Sequence, residues 1–324
     1  MGYFEEIFDQ ETKAKATRLS FGETLAELGA GNENVVALDA DLSKSTQTQI
    51  FAKEFPDRFY NMGIAEANMI GVAAGLARSG KIPFAASFGC FLTGRYDQIR
   101  MSVSFSNVPV RLVGTHAGVA IGEDGHSQMA LEDLALMRSL PNMVVLQPCD
   151  DFETRELMKW SLTDPRPCYF RLTRQGLKPR KKSFQEKVNC GDWQFLNRAS
   201  QAGQPMFVAS GASLEATVQA ADILKEKTGQ EVSIVHAPWI QPVSSETWAK
   251  ITETAPSWIA SVEDHYINGG IGTLLAEYLA ESASSTRLLR LGVKDFGQSG
   301  SPKDNVQAYR LDAQSIAEDF QAHL

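Results

Sequence analysis

Three segments of this chain collect the residue types that could do chemistry. In GIAEANMIGVAAGLARSG, residues 63–80, a turn glycine leads into a helical pattern with Glu66 in its first turn. A carboxyl there can give or take a proton. It would also complement the positive end of the helix dipole, a role that needs no catalysis. In SFGCFLTGRYDQIRM, residues 87–101, Phe88 and Phe91 stand at helical or turn spacing, suited to walling a ring or to filling a core. In THAGVAIGEDGHSQMALEDLALMRSLPNM, residues 115–143, a polar loop carries His116, Glu123, Asp124, His126, Ser127 and Gln128. Open α/β sheets bind ligands beyond the carboxyl ends of their strands, which is where this loop falls; a solvated connection is the other reading.

These side chains need a frame, and the chain supplies one. Short apolar runs near 34–39, 82–87, 109–114, 143–147 and 168–172 read as strands, with helical patterns near 65–79, 91–106, 131–139 and 151–162 between them. That alternation predicts a doubly wound α/β domain. Ala67, Gly71 and Gly75 leave one helix face nearly bare, open to close approach by another helix. The rhythm lapses over 176–192, where Pro179, the basic run KPRKK at 178–182 and Gly191 suggest a solvated connection. It resumes with strands near 206–209, 231–236, 257–262 and 287–291 and helices near 213–227, 245–254, 270–281 and 313–322, a second, smaller α/β domain.

Composition narrows the function. The 324 residues are 43% hydrophobic and carry a formal charge of −8, so a large core is available and a nucleic-acid backbone is not an expected partner. The N-terminal MGYFEEIFDQETK lacks the basic start and apolar run of a signal peptide, and no stretch approaches the roughly 20 apolar residues of a membrane span. A soluble cytoplasmic protein without a membrane partner is expected. Cysteines 90, 149, 168 and 190 are widely spaced, which predicts neither a zinc site nor a disulfide framework.

The order GIAE, F-x-x-F, GEDG-x-x-Q-x-x-x-E, LPNM and RLTRQ resembles the pyrimidine-binding domain of transketolases, through most of 15–175. VEDHYINGGIG at 262–272 looks like the transketolase C-terminal domain, and DQIRM with SQMALEDLA looks like the animal-type enzymes. The resemblance implies a pyrimidine-binding domain over 1–178, a linker over 179–192 and a C-terminal domain over 193–324. It implies that Glu66 hydrogen-bonds the aminopyrimidine ring of thiamine diphosphate, favouring the tautomer that activates the cofactor. Phe88 and Phe91 match the aromatics that hold this ring, and Asp41 and Leu42, within DADLSKS, match cofactor-proximal positions. Arg18, Ser45, His116, Asp124, Gln128 and Arg174 match the sugar phosphate site, with His116 counted as catalytic beside Glu66. Gly94, His126 and Gln128 depart from the usual aromatic, proline and histidine, which leaves the sugar preference open.

The Gly-Asp-Gly motif that holds magnesium and the diphosphate in thiamine enzymes does not occur. The resemblance therefore implies a partner: an N-terminal transketolase subunit that carries this motif and supplies most of the Mg2+ binding, in a heterotetramer. The expected reaction is transfer of a two-carbon ketol unit from a ketose phosphate to an aldose phosphate. A 1-deoxyxylulose 5-phosphate synthase-like enzyme, a 2-oxo acid dehydrogenase β subunit and a non-catalytic interaction protein are the alternatives.

Overall fold

The computed structural model describes residues 2–185 and 189–323. Runs such as Val35–Asp39 and Arg111–Thr115 are buried at every position, as parallel strands covered on both faces must be. Seven strands form the first sheet, in the order Trp239–Gln241, Val144–Leu146, Cys168–Arg171, Arg111–Thr115, Ile82–Phe88, Val35–Asp39, Phe59–Asn61. All pair in parallel except Trp239–Gln241, which is antiparallel and arrives from the C-terminal half of the chain. Both edge strands, three residues each, are too short to show a period and escape the sequence reading.

Two helical expectations need correction. The helix Thr17–Gly31 lies in a stretch where none was expected, because most of its buried residues are small or polar: Thr17, Ser20, Gly22, Thr24, Ala26 and Gly29 beside Phe21 and Leu25. The helix expected over 91–106 is broken into Gly89–Thr93, Tyr96–Gln98 and a wide π-helical stretch, Ile99–Phe105. The break falls at Gly94 and Arg95, where a glycine gives the backbone little reason to stay helical.

The second sheet runs Arg287–Val293, Trp258–Tyr266, Met206–Ala209, Ser233–His236, Gln194–Asn197, and only the last strand is antiparallel. Tyr3, Ile7 and Phe8, at the N-terminal end of the chain, pack into the core of this second domain, with the Tyr3 and Phe4 amides donating to the Asp222 carboxylate.

Buried charge ties the domains together. Arg171 donates to Asp133 through Nε at 3.0 Å, to Asp264 Oδ1 through Nη1 at 2.6 Å, and to the carbonyls of Ala130 and Asp264 through Nη2. The basic run 178–182 is not wholly solvated as expected: Arg180 is 1% exposed. Its Nε reaches Asp150 at 2.9 Å, and Asp150 also caps the helix Asp151–Ser161. Residues 186–188 of the expected linker lie outside the described residues. Tertiary folding also gathers Cys149, Glu153 and His236, with potential ligand atoms within 4.8 Å of one another. Glu153 already accepts from His236 Nε2 at 2.7 Å and from the Cys149 amide, and Arg180 stands 3.3 Å from its other oxygen, so the cluster is an ion-paired contact with its cation in place.

Candidate functional site

Adjacent strands place the aromatic residues. Phe88 pairs opposite Thr115 at the carboxyl ends of Ile82–Phe88 and Arg111–Thr115, so Phe88 and His116 emerge side by side. Their rings stack at 3.9 Å between centroids, and Phe88 stacks on Phe91 at 5.5 Å with the planes 8° apart. Glu66 opens the helix Glu66–Arg78 after a turn at Gly63, whose φ is +69°. The residue is 6% exposed and its carboxyl accepts from Ser87 Oγ at 3.1 Å, and Ser87 is the residue before Phe88. A buried carboxyl beside a stacked aromatic pair suits a planar ring with a basic nitrogen.

His116 adopts φ +59°, a region histidine visits rarely and at some cost in strain. Asp41 adopts φ +65° just past the carboxyl end of Val35–Asp39. Two left-handed residues beside the ends of two parallel strands fit a face where a site is built. Thr115 Oγ1 lies 2.9 Å from His116 Nδ1. Burial first, then the nearby positive charges of Arg18 and Arg174, lower the His116 pKa to about 3. His116 is therefore neutral at neutral pH and offers a single hydrogen bond rather than a charge. A lowered histidine pKa contributes stability that is present above the ordinary value of 6.5 and is lost as pH falls toward 3. Long-range ¹H–¹⁵N spectra are expected to show a neutral His116 imidazole at pH 5. A midpoint at or above 6 would contradict the geometry.

The two arginines come from distant parts of the chain. Thr17 and Thr173 lock together, the Thr173 amide donating to Thr17 Oγ1 at 2.8 Å, which sets the start of helix Thr17–Gly31 against the segment holding Arg174. Arg18 donates through Nη1 to the Ser45 carbonyl, and burial lowers the pKa of its half-buried guanidinium. Arg174 Nη1 reaches the Ile121 carbonyl at 2.6 Å and Asp124 Oδ2 at 3.4 Å, and both partners of that ion pair are largely exposed. Two guanidiniums near one neutral histidine give this corner a positive charge that suits an anion.

The structure thus joins Glu66 through Ser87 to Phe88, Phe91 and His116, and sets Arg18, bonded to the Ser45 carbonyl, and Arg174, paired with Asp124, near enough for their charges to act on His116. Gln128 ends the turn His126–Gln128 and accepts from Ser127 Oγ; this turn lies against the helix Gly89–Thr93 that carries Phe91. Asp41 is exposed and accepts from Asn61 Nδ2 at 3.2 Å. Leu42 is fixed through its amide, which donates to Asp39 Oδ1. Asp39 was missed by the sequence reading. It is fully buried and accepts from Thr46 and Thr48 at 2.7 and 2.9 Å, and burial raises its pKa against those bonds. Ser87 was also missed. Its signal was a lone hydroxyl in the apolar run IPFAASF.

Two family models match the chain: transketolase, pyrimidine binding domain, over 13–179, and transketolase, C-terminal domain, over 197–316. A putative transketolase C-terminal section from Methanocaldococcus jannaschii is 42% identical over 306 residues, 94% of each chain. Transketolase from Rattus norvegicus is 35% identical over 309 residues, 94% of this chain and 48% of the rat protein. The chain therefore spans about half the length of the animal transketolases it matches. Among solved structures, a split gene transketolase described as an inactive beta4 tetramer superposes with a TM-score of 0.83 at 37% identity, covering 96% of this chain and 98% of that one. Transketolase from Campylobacter jejuni superposes at 0.80 and 23% identity over 99% of this chain and 49% of its own, a likeness of fold.

Proposed function

Because this chain belongs to the transketolase family, as a C-terminal section of a split transketolase, we propose that it forms an active enzyme with an N-terminal partner chain. In this reading the pair moves a two-carbon ketol unit from a ketose phosphate to an aldose phosphate. One observation carries the reading furthest: a buried carboxyl, Glu66, bonded to Ser87 beside the stacked Phe88, Phe91 and His116, with the charges of Arg18 and Arg174 acting on that histidine.

The residues present fit the ring end of thiamine diphosphate. Glu66 would hold a proton at the ring nitrogen, with Ser87 orienting the carboxylate, while Phe88 and Phe91 would hold the ring by stacking or edge contacts from one side. Asp41 and Leu42 would lie close to the cofactor. When bound, thiamine diphosphate supplies the carbon centre that accepts the ketol unit. Arg18 and Arg174 would hold the sugar phosphate, neutral His116 and Asp124 would hydrogen-bond its oxygens, and Ser45 and Gln128 would complete that end. Mg2+ and the diphosphate would be held mainly by the partner, in a heterotetramer.

The surface supports a partner. Ile64 is 86% and Phe105 80% exposed, and Met101 is 46% exposed. The helix Glu66–Arg78 lies against Ile99–Phe105, and Gly71 and Gly75 of this helix have nothing within 4 Å of where a side chain would begin. A bare helix face bordered by apolar side chains is a surface suited to close packing against another chain. No helix among the described residues is long and apolar enough to cross a membrane, and a cytoplasmic location belongs to the same proposal.

The test is reconstitution. The purified chain is expected to bind thiamine diphosphate weakly and to transfer no ketol unit from xylulose 5-phosphate to ribose 5-phosphate. Adding a chain that carries the Gly-Asp-Gly motif should restore both. Robust turnover in a preparation shown free of any second polypeptide would sink the two-chain reading.

A further inference from the structure

The polar loop that follows His116 meets the C-terminal domain along most of its length. Gly118, Gly122 and Gly125 all have positive φ, at 86°, 94° and 74°. Each opens onto the C-terminal domain. A side chain at Gly118 would collide with Asp264 Oδ2, one at Gly122 would begin 3.2 Å from Pro302 Cδ, and one at Gly125 would begin 3.3 Å from Ser299 Cβ. The close approach is reciprocal, since a side chain at Gly297 would run into Met129 Sδ.

Polar contacts fall between these glycines. Asn305, 3% exposed, donates from Nδ2 to the Val119 carbonyl at 3.2 Å. Ser299 Oγ donates to the Glu123 carbonyl. The Gly297 amide donates to His126 Nδ1 at 3.1 Å, and Phe296 meets the His126 ring edge-on at 4.8 Å. At the base of the loop, Arg171 joins the Ala130 carbonyl to Asp264.

We propose that residues 296–305 of the C-terminal domain clamp this loop and thereby set the sugar-binding end of the site, with Ser299 and Asn305 as positioning residues. The proposal rests on the ketol-transfer reading for what is bound. The clamp itself rests on the contacts. Asp124 lies between Glu123, held by Ser299, and Gly125, pressed against it, and Arg174 anchors on the Ile121 carbonyl two residues after Val119. The ring-binding end is built differently. Glu66, Ser87 and Phe88 stand on a helix and a strand of the first sheet, whereas the hydrogen bonds from Gly297, Ser299 and Asn305 fall on the loop. Loosening the clamp should therefore weaken sugar binding and spare cofactor activation.

The decisive experiment uses the complex with its partner chain. In the double variant Ser299→Ala, Asn305→Ala, KM for a phosphorylated ketose is expected to rise on the order of tenfold from two lost hydrogen bonds, with kcat within about twofold. Amide hydrogen exchange should quicken across 116–130 and stay unchanged in the strands of the first sheet. Exchange of the thiazolium proton should match the unaltered complex. Ser299→Thr, which keeps the hydroxyl, should retain the original KM. Unchanged amide exchange across 116–130, or a fall in kcat with KM unmoved, would overturn the proposal. If the unaltered complex transferred no ketol unit, the functional reading would fall, and loop exchange alone would then decide the clamp: faster exchange keeps it and unchanged exchange removes it.

Discussion

Replacing Glu66 by glutamine in the assembled complex is expected to lower kcat by roughly 10²–10⁴, the usual loss when a group acting on a proton transfer is removed. Glutamine is nearly isosteric, so the helix Glu66–Arg78 and the contact with Ser87 should persist. What it cannot do is hold and release a proton at the ring nitrogen. The contacts of Arg18, His116 and Arg174 lie elsewhere, so KM for the sugar phosphate should change little. The same defect should appear as slow exchange of the thiazolium proton into deuterated water, a step that involves no sugar. Wild-type exchange in an intact complex would reduce Glu66 to a helix-end charge.

The second large effect is on stability. Arg171→Met preserves much of the side-chain volume but leaves Asp133 and Asp264 buried without the guanidinium that both contact. Breaking a buried ion pair by removing one partner typically costs about 3–5 kcal/mol, because the remaining charge is neither hydrated nor paired. Chemical denaturation should show a loss of that size. The deficit should shrink as pH falls, since burial already raises the Asp264 pKa, Arg171 opposes that rise, and a protonated carboxyl needs no counter-charge. A loss below about 1 kcal/mol, or one indifferent to pH, would show that water or relaxation relieves the site.

Much of the frame was legible because apolar periodicity is local. The central strands of the first sheet and the helices near 65–79, 151–162, 213–227 and 270–281 are fixed by runs of residues that must be buried on one or both faces. What escaped were elements whose stability comes from elsewhere. The edge strand Trp239–Gln241 exists because it completes the sheet of the other domain, with Trp239 packed edge-on against Trp160 at 4.5 Å. The helix Thr17–Gly31 buries glycines against Gln47 and Phe51, contacts that no local pattern announces.

For the candidate site the division is similar. By itself the sequence determined the residue types: Glu66 at a helix start, Phe88 and Phe91 after a strand, His116 and Asp124 in a polar loop, and the order of motifs that marks the family. Only the tertiary structure decided that Arg18, 156 residues before Arg174 in the chain, shares a corner with it through the Thr17–Thr173 contact 156 residues apart. It also decided that Arg180 is buried and that the C-terminal domain presses on the loop glycines. The physical reason is that burial and charge pairing depend on what arrives from far along the chain, whereas period and capping depend on the nearest few residues.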